Sequence, residues 1–395
     1  MIIEEKEIDR LKNEDKFSYV LSKGMIYSGV LSKVIKKEVL YENDIWYDNT
    51  ECEDIVWSLK IYMNVKSIDW CNDLIYVYRK RKSGSRSAKA FTHEKYDILE
   101  DNMKDKIITV FTPTYNRAYK LPDLYNSLCE QTCSQFEWLI VDDGSTDGTE
   151  KLVNMWLKED KIKIIYIKQE NGGKQRAHNT GVLHCDLDLF FCVDSDDIIA
   201  PECVEKHLER WNQVKNDEKV AGIISLKGDL KGNPLGTPFP EGIDCISRKV
   251  LYGKMKFKGD ASLIYRTSLL KKHLYWVAEG EKFIGEGYVF SQIDEEHEMA
   301  VLPEVLTFCE YLPDGYTKNV RKITKDNPKS YVVLKRQTVE YADTWKERYI
   351  QTILYMVGCK MSKEKNAIKK APYPILAMLA YFPACLAWWL FYKNA

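Results

Sequence analysis

The stretch "LFFCVDSDDIIA", Leu189 to Ala200, runs a mostly apolar segment into Asp194, Asp196 and Asp197. Ionised carboxylates this close repel one another, so such a cluster calls for a cation beside it. At the end of an extended strand, Asp194 and Asp196 project to one side and Ser195 to the other. That geometry suits one hard divalent ion, Mn²⁺ or Mg²⁺, with coordination positions left for phosphate oxygens. A metal held there neutralises a diphosphate leaving group, which is Lewis-acid chemistry. A D-x-D standing alone reads more simply as a solvated turn, with aspartate capping the helix that begins near Pro201. This one does not stand alone.

Three further polar stretches accompany it. "VDDGSTDGT" supplies Asp142 and Asp143 at the end of another apolar run, where Asp143 can accept a hydrogen bond from a base or ribose. Ser145 or Asp147 can cap the helix that follows without help from those two carboxylates. "TPTYNR" is a Pro-bearing loop, stiff enough to lie against a flat ring. "NGGKQRAHNTG" sets Lys174 and Arg176 near a helix N-terminus, where backbone amides and cationic side chains favour anions.

The elements between these stretches place them on one edge. A strand runs from Ile107 to Phe111 and breaks at Pro113, a second ends at Asp142, a third lies in "KIKIIYIKQE", and a fourth leads into the "DSDD" turn. The segments between them have helical periodicity: "YKLPDLYNSLCEQT", with Leu121, Leu124 and Leu128 in step, then "TEKLVNMWL", then "KQRAHNTGVLH". Strands alternating with single helices imply an α/β fold with a parallel sheet and right-handed crossovers. Ligands of such sheets bind beyond the carboxyl ends of the strands, where "TPTYNR", "DDGSTD" and "DSDD" fall together.

Taken in order, the motifs over residues 105 to 320 resemble those of family 2 glycosyltransferases with the GT-A fold. The resemblance implies a Rossmann-like, mostly parallel sheet flanked by helices. It also implies an inverting transfer from a nucleotide-diphosphate sugar, commonly UDP-linked. By that resemblance Thr112, Pro113 and Tyr115 line the nucleotide, Asp143 reads the base with Asp142 in support, and Lys174, Arg176, Asp194 and Ser195 bound the donor. Asp194 and Asp196 match the metal-and-diphosphate motif. His178 stands where many members carry arginine in an A-R-N pattern, which leaves Arg176 as the compensating cation. The family often carries its catalytic base in a Glu-Asp pair downstream of the D-x-D. "GEKFIGEGYVFSQI" offers Glu281 and Glu286 for that role, with Glu286 preferred and Gly287 in place of the aspartate.

The preference for Glu286 comes from an internal repeat. At a constant offset of 233 residues Glu53 matches Glu286, Lys33 matches Arg266, Val56 matches Val289, Ser58 matches Ser291 and Tyr78 matches Tyr311. Residues 1–104 therefore resemble the acceptor-side half of a second family 2 domain without its nucleotide half, α-rich and including the basic run "YRKRKSGSRSAK" as a linker. The expected organisation is this partial domain at 1–104, a GT-A domain at 105–325, and a helical region at 326–395.

Composition narrows the class. With 45% hydrophobic and 30% charged residues the 395-residue chain can bury a large core, and its net charge of −1 argues against bulk nucleic-acid binding. The 11 cysteines show no C-x-x-C pair, and the charged N-terminus has no apolar signal core, so reduced thiols in a cytosol are expected. At the other end "APYPILAMLAYFPACLAWWLF", Ala371 to Phe391, is free of charge over 21 residues and follows Lys360, Lys363, Lys365, Lys369 and Lys370. That pattern suits the cytoplasmic face of a membrane, as a single anchor or a peripheral helix, and an acceptor that is a glycan or is lipid-linked. Two rival readings remain: a sugar nucleotidylyltransferase, which calls for a Gly-rich basic loop after the first strand where "TPTYNRAYKLPD" stands, and a catalytically degenerate scaffold.

Overall fold

The structure, a computed structural model, describes residues 106–309 and 316–393. The partial domain at 1–104, its Glu53 repeat, the basic run after Tyr78 and most of the loop "EYLPDGYTKN" lie outside the described residues.

Nine strands form one sheet. Four of them are parallel neighbours in the order β3 (Ile164–Lys168), β2 (Phe136–Asp142), β1 (Ile108–Thr114) and β4 (Leu189–Cys192). They are joined through α1 (Leu121–Cys129), α2 (Thr149–Glu159) and α3 (Lys174–His184). The sheet then turns mixed. After β5 (Ile198–Ile199) and α4 (Cys203–Val214) come β6 (Val220–Gly228), β7 (Cys245–Ile246) and β8 (Ala261–Arg266). Strand β8 inserts antiparallel between β4 and β6, and β9 (Glu298–Phe308) runs parallel to β6. Short helices α5 (Thr267–Lys272) and α6 (Gly287–Asp294) lie between β8 and β9.

Strand β1 does not break at Pro113 but continues to Thr114, and the pairing explains why. Phe111 accepts the Val193 amide on the β4 side, so Pro113, two residues on, turns its missing N–H to that same side. The β1–β4 register ends at Phe111 opposite Cys192, so no ladder bond is lost there.

Each face of the sheet has its own core. One gathers Val110, Trp138, Ile140 and Phe191 beneath Leu124, Trp156 and Trp211 of α1, α2 and α4. The other gathers Phe111, Leu139, Phe190 and Tyr265 beneath Ala177 and Val182 of α3, with Phe290 of α6. A third core is purely helical: α8 (Pro328–Glu340) and α9 (Trp345–Met361) follow α7 (Tyr316–Asp326), and after α10 (Ala367–Lys370) the apolar α11 (Pro374–Phe391) packs on α9.

Candidate active site

The end of β2 is a closed hydrogen-bond system. Asp142 is fully buried; one carboxylate oxygen accepts the Ser145 amide at 2.7 Å and the other the Tyr166 hydroxyl at 2.6 Å. Asp143 does more. Its Oδ1 accepts Gln169 Nε2 at 2.7 Å and the Gly172 amide at 2.9 Å, while Oδ2 accepts the Gly173 amide at 2.7 Å and Asn171 Nδ2 at 3.2 Å. Charge-assisted bonds to several N–H groups at once fix a loop firmly. Gly173, at φ +97°, lies so close to Lys282 that an added Cβ would sit 1.9 Å from its carbonyl oxygen, so only glycine fits. The adjoining β1 loop is stapled to the same place. Asn116, in the left-handed region at φ 53°, accepts the Thr146 amide at 2.8 Å and donates its own amide to Ser145 Oγ.

The end of β4 is held by charge instead. Lys174, at the first turn of α3, reaches Asp194 at 2.8 Å and Glu286 at 3.0 Å. One ammonium thus joins the D-x-D strand end to a carboxylate 92 positions away, at the N-cap of α6. Lys227 of β6 pairs with Asp197 at 2.7 Å. Burial raises the Asp194 carboxyl, but Lys174 and Lys227 outweigh it and the net direction is down. Asp196 goes the other way, raised by burial and by its neighbour Asp194. Lys174 holds Glu286 below the usual range, so this carboxylate is ionised at neutral pH. Half of the Glu286 side chain reaches solvent, at the mouth of a small cavity.

That cavity is lined by Lys174, Gln175 and His178 of α3, with Asp194, Lys227 and Phe290 around them. Gln175 Oε1 and His178 Nδ1 are buried there without a protein partner. His178 packs edge-on against Phe111, Phe190 and Tyr275, and burial lowers its pKa to about 4, so it is neutral.

Residues 109–274 match the family model described as Glycosyl transferase family 2. This stretch is a family 2 glycosyltransferase domain. The chain is 26% identical over 224 residues to the poly-beta-1,6-N-acetyl-D-glucosamine synthase of Staphylococcus aureus, covering 55% of this chain and 52% of that one. It is 38% identical over 122 residues to the glycosyltransferase GlyA of Streptococcus pneumoniae, covering 31% and 17%. The chain thus spans about half the length of the synthase or less of such relatives. Among solved structures, S. aureus TarS 1–349 in complex with UDP-GlcNAc superposes with a TM-score of 0.48 at 19% identity, over 70% of this chain and 79% of that one.

Within the transferase domain several expected residues take other parts. Arg176 does not face the diphosphate side: its guanidinium donates to the carbonyls of Gly172, Glu281, Val277 and Ala278, a clamp between α3 and the segment before α6. Residues two apart on a helix point to nearly opposite sides, so Lys174 and Arg176 cannot share a target, whereas Lys174 and His178 can. Thr112 is fully buried and its hydroxyl accepts the Trp138 indole N–H at 3.0 Å, which turns its side chain into the helix layer rather than onto a nucleotide. Asp143 spends its oxygens on the 169–173 loop rather than offering them to a base. Glu281 is buried, accepting the Lys329 and Ser330 amides at the N-terminus of α8, and so is no free base. Pro113 lies within β1 rather than in a loop, Tyr115 follows directly after the strand with its ring half exposed, and Ser195 lies buried between the two aspartates.

Two cations escaped the sequence reading. Arg117 in "TPTYNR" favours the ionised form of both Asp194 and Asp196, though Asp196 stays raised, and Lys227 pairs with Asp197. The first sits in a motif already singled out; the second carries no local signal, since it arrives on a strand 30 residues on.

No group of three or more His, Cys, Asp or Glu side chains gathers among the described residues to hold a metal by protein ligands alone. The hard oxygen donors of Asp194 and Asp196 nonetheless fit Mg²⁺ or Mn²⁺, provided the substrate completes the shell. Asp196 is the more available of the two, for Asp194 already carries Lys174.

Proposed function

We propose that the chain is an inverting glycosyltransferase. It moves a sugar from a UDP-linked donor onto a hydroxyl of a glycan or lipid-linked acceptor, in surface polysaccharide synthesis at the cytoplasmic face of a membrane. The observation that supports this best is the Lys174 ammonium between Asp194 and Glu286, which puts an ionised carboxylate beside the strand end where a diphosphate would lie. In this reading Glu286 takes the proton from the acceptor hydroxyl as that oxygen bonds to the anomeric carbon. The bond from that carbon to the diphosphate breaks on the opposite side, and UDP leaves. Lys174 keeps Glu286 ionised and offers positive charge to the departing diphosphate, together with Arg117. A divalent ion on Asp194 and Asp196, when bound, supplies further charge neutralisation to the leaving group. Tyr115 packs on the base, and Gln175 and His178 meet a polar group of the donor sugar. The relationship to a poly-N-acetylglucosamine synthase makes UDP-GlcNAc the first donor to try.

Calorimetry of UDP with and without Mn²⁺, on the wild type and on Asp196→Asn, tests this. Metal-dependent binding lost in the variant is the expected result, and UDP-GlcNAc hydrolysis lost with it excludes a scaffold role. A wild type that binds none of UDP, GDP or TDP overturns the reading.

A further inference from the structure

Helix α11 has two faces of opposite character. Ala377, Ala380 and Ala384 are buried in the core that α11 shares with α9, where their small side chains admit close approach of the two helices. On the other side Ile375, Met378, Leu379, Phe382, Leu386, Trp389 and Leu390 are each more than half exposed, with Phe382 at 80%. At about 100° per residue these seven fall within a wedge of roughly 120°, centred opposite the alanines. A contiguous apolar wedge of this size marks an interaction surface. Cations border it. Lys360 lies 4.9 Å over the Trp388 ring and Arg321 5.1 Å over the Phe391 ring, while Lys369 and Lys370 line an open groove with Arg336 and Tyr373 at the start of the helix.

The 18 residues of α11 make it, among those described, the one helix long and apolar enough to cross a membrane. Its packing argues otherwise. Pro383 inside the helix removes the N–H that would bond the carbonyl four residues back, that of Leu379. The hydroxyl of Tyr349, on α9, donates to that same carbonyl at 3.4 Å. Docked on α9, the helix therefore has its freed carbonyl satisfied; surrounded by lipid, it would carry an unpaired carbonyl into hydrocarbon.

We propose that α11 stays docked on α9 and lies in the plane of an anionic membrane. The Phe382 wedge sinks into one leaflet, and the lysines and arginines behind it and at the helix start meet lipid phosphates. The placement of α11 does not depend on the transferase reading; only the hydrolysis control in its test does. The test uses the full chain in flotation with phosphatidylcholine vesicles, with and without phosphatidylglycerol. Flotation is expected with the anionic vesicles, weakened at least tenfold by Phe382→Glu or by Lys369→Glu with Lys370→Glu, while UDP-GlcNAc hydrolysis in solution is unchanged. In inverted cytoplasmic-membrane vesicles, a protease-cleavable tag appended after Ala395 is expected to be cut from outside without detergent. A protected tag means a spanning helix and overturns the proposal. So does a wild type that ignores the vesicles, including the case in which it pairs with a second copy through a contact that Phe382→Glu dissolves.

Discussion

The end of β2 carries two carboxylates and the turn after β4 three, on the same sheet edge, and they are stabilised in opposite ways. Asp142 and Asp143 meet N–H and O–H donors at every oxygen, so their charge is spent on shaping a loop. Asp194 meets the Lys174 ammonium while Asp196 lies beside Asp194, and the pair is left unequal: one lowered, the other raised. A carboxylate satisfied by fixed dipoles has little left to give a substrate. A carboxylate balanced by cationic side chains can exchange one cation for another, which is what binding a metal and a diphosphate requires. The contrast separates the residues that build the edge from those that work at it.

The largest expected effect comes from Glu286→Gln, which removes the proposed base and leaves its shape. The turnover rate is expected to fall on the order of 10²-fold or more, with the donor KM nearly unchanged, read from initial rates with UDP-GlcNAc. A rate that survives removes the working end of the comparison from α6. Lys174→Met comes next and sharpens it. With its carboxyl held low by Lys174, Glu286 stays ionised down to acid pH, so the acid limb of kcat/KM is expected below the ordinary glutamate range. Without the ammonium that limb moves to higher pH, and the rate drops by on the order of 10-fold. A limb that does not move means that the titrating group is not Glu286.

Much of the edge was legible in the sequence because strands and helices announce themselves by period and strand ends by their polar breaks. The parallel run β3-β2-β1-β4 follows from apolar stretches alternating with helical ones, and the D-x-D from its placement after one of them. The geometry of single side chains was not. Lys174 and Arg176 look interchangeable as neighbouring cations, yet helical rotation sends one to Asp194 and the other to four backbone carbonyls. Helical spacing alone could have shown that Lys174 pairs with His178 and not with Arg176. The meeting of Glu286 with Asp194 crosses β6 and β8, and only the repeat and the resemblance hinted at it. That β8 runs antiparallel depends on the long excursion between Asp229 and Asp260, which has no periodic signal of its own.

The smallest effect, on stability, is the one that most directly separates the two strand ends. In Asp143→Asn one oxygen becomes an amide that must face either Gln169 and Gly172 or Asn171 and Gly173, a donor against donors in both orientations. Losing those bonds in a buried place is expected to cost about 2–3 kcal/mol and to lower the Tm, with faster hydrogen exchange at the Gly172 and Gly173 amides. Asp196→Asn is expected to behave in the opposite sense. Its carboxyl is raised, so the folded protein disfavours the charge that the unfolded chain carries freely, and removing that charge leaves the Tm unchanged or higher. Thermal melts of the two variants at neutral pH decide the matter. If Asp143→Asn melts with the wild type while Asp196→Asn melts early, the roles of the two strand ends are reversed: the charged cluster at β4 builds the edge, and the β2 carboxylates are the ones free to meet a nucleotide.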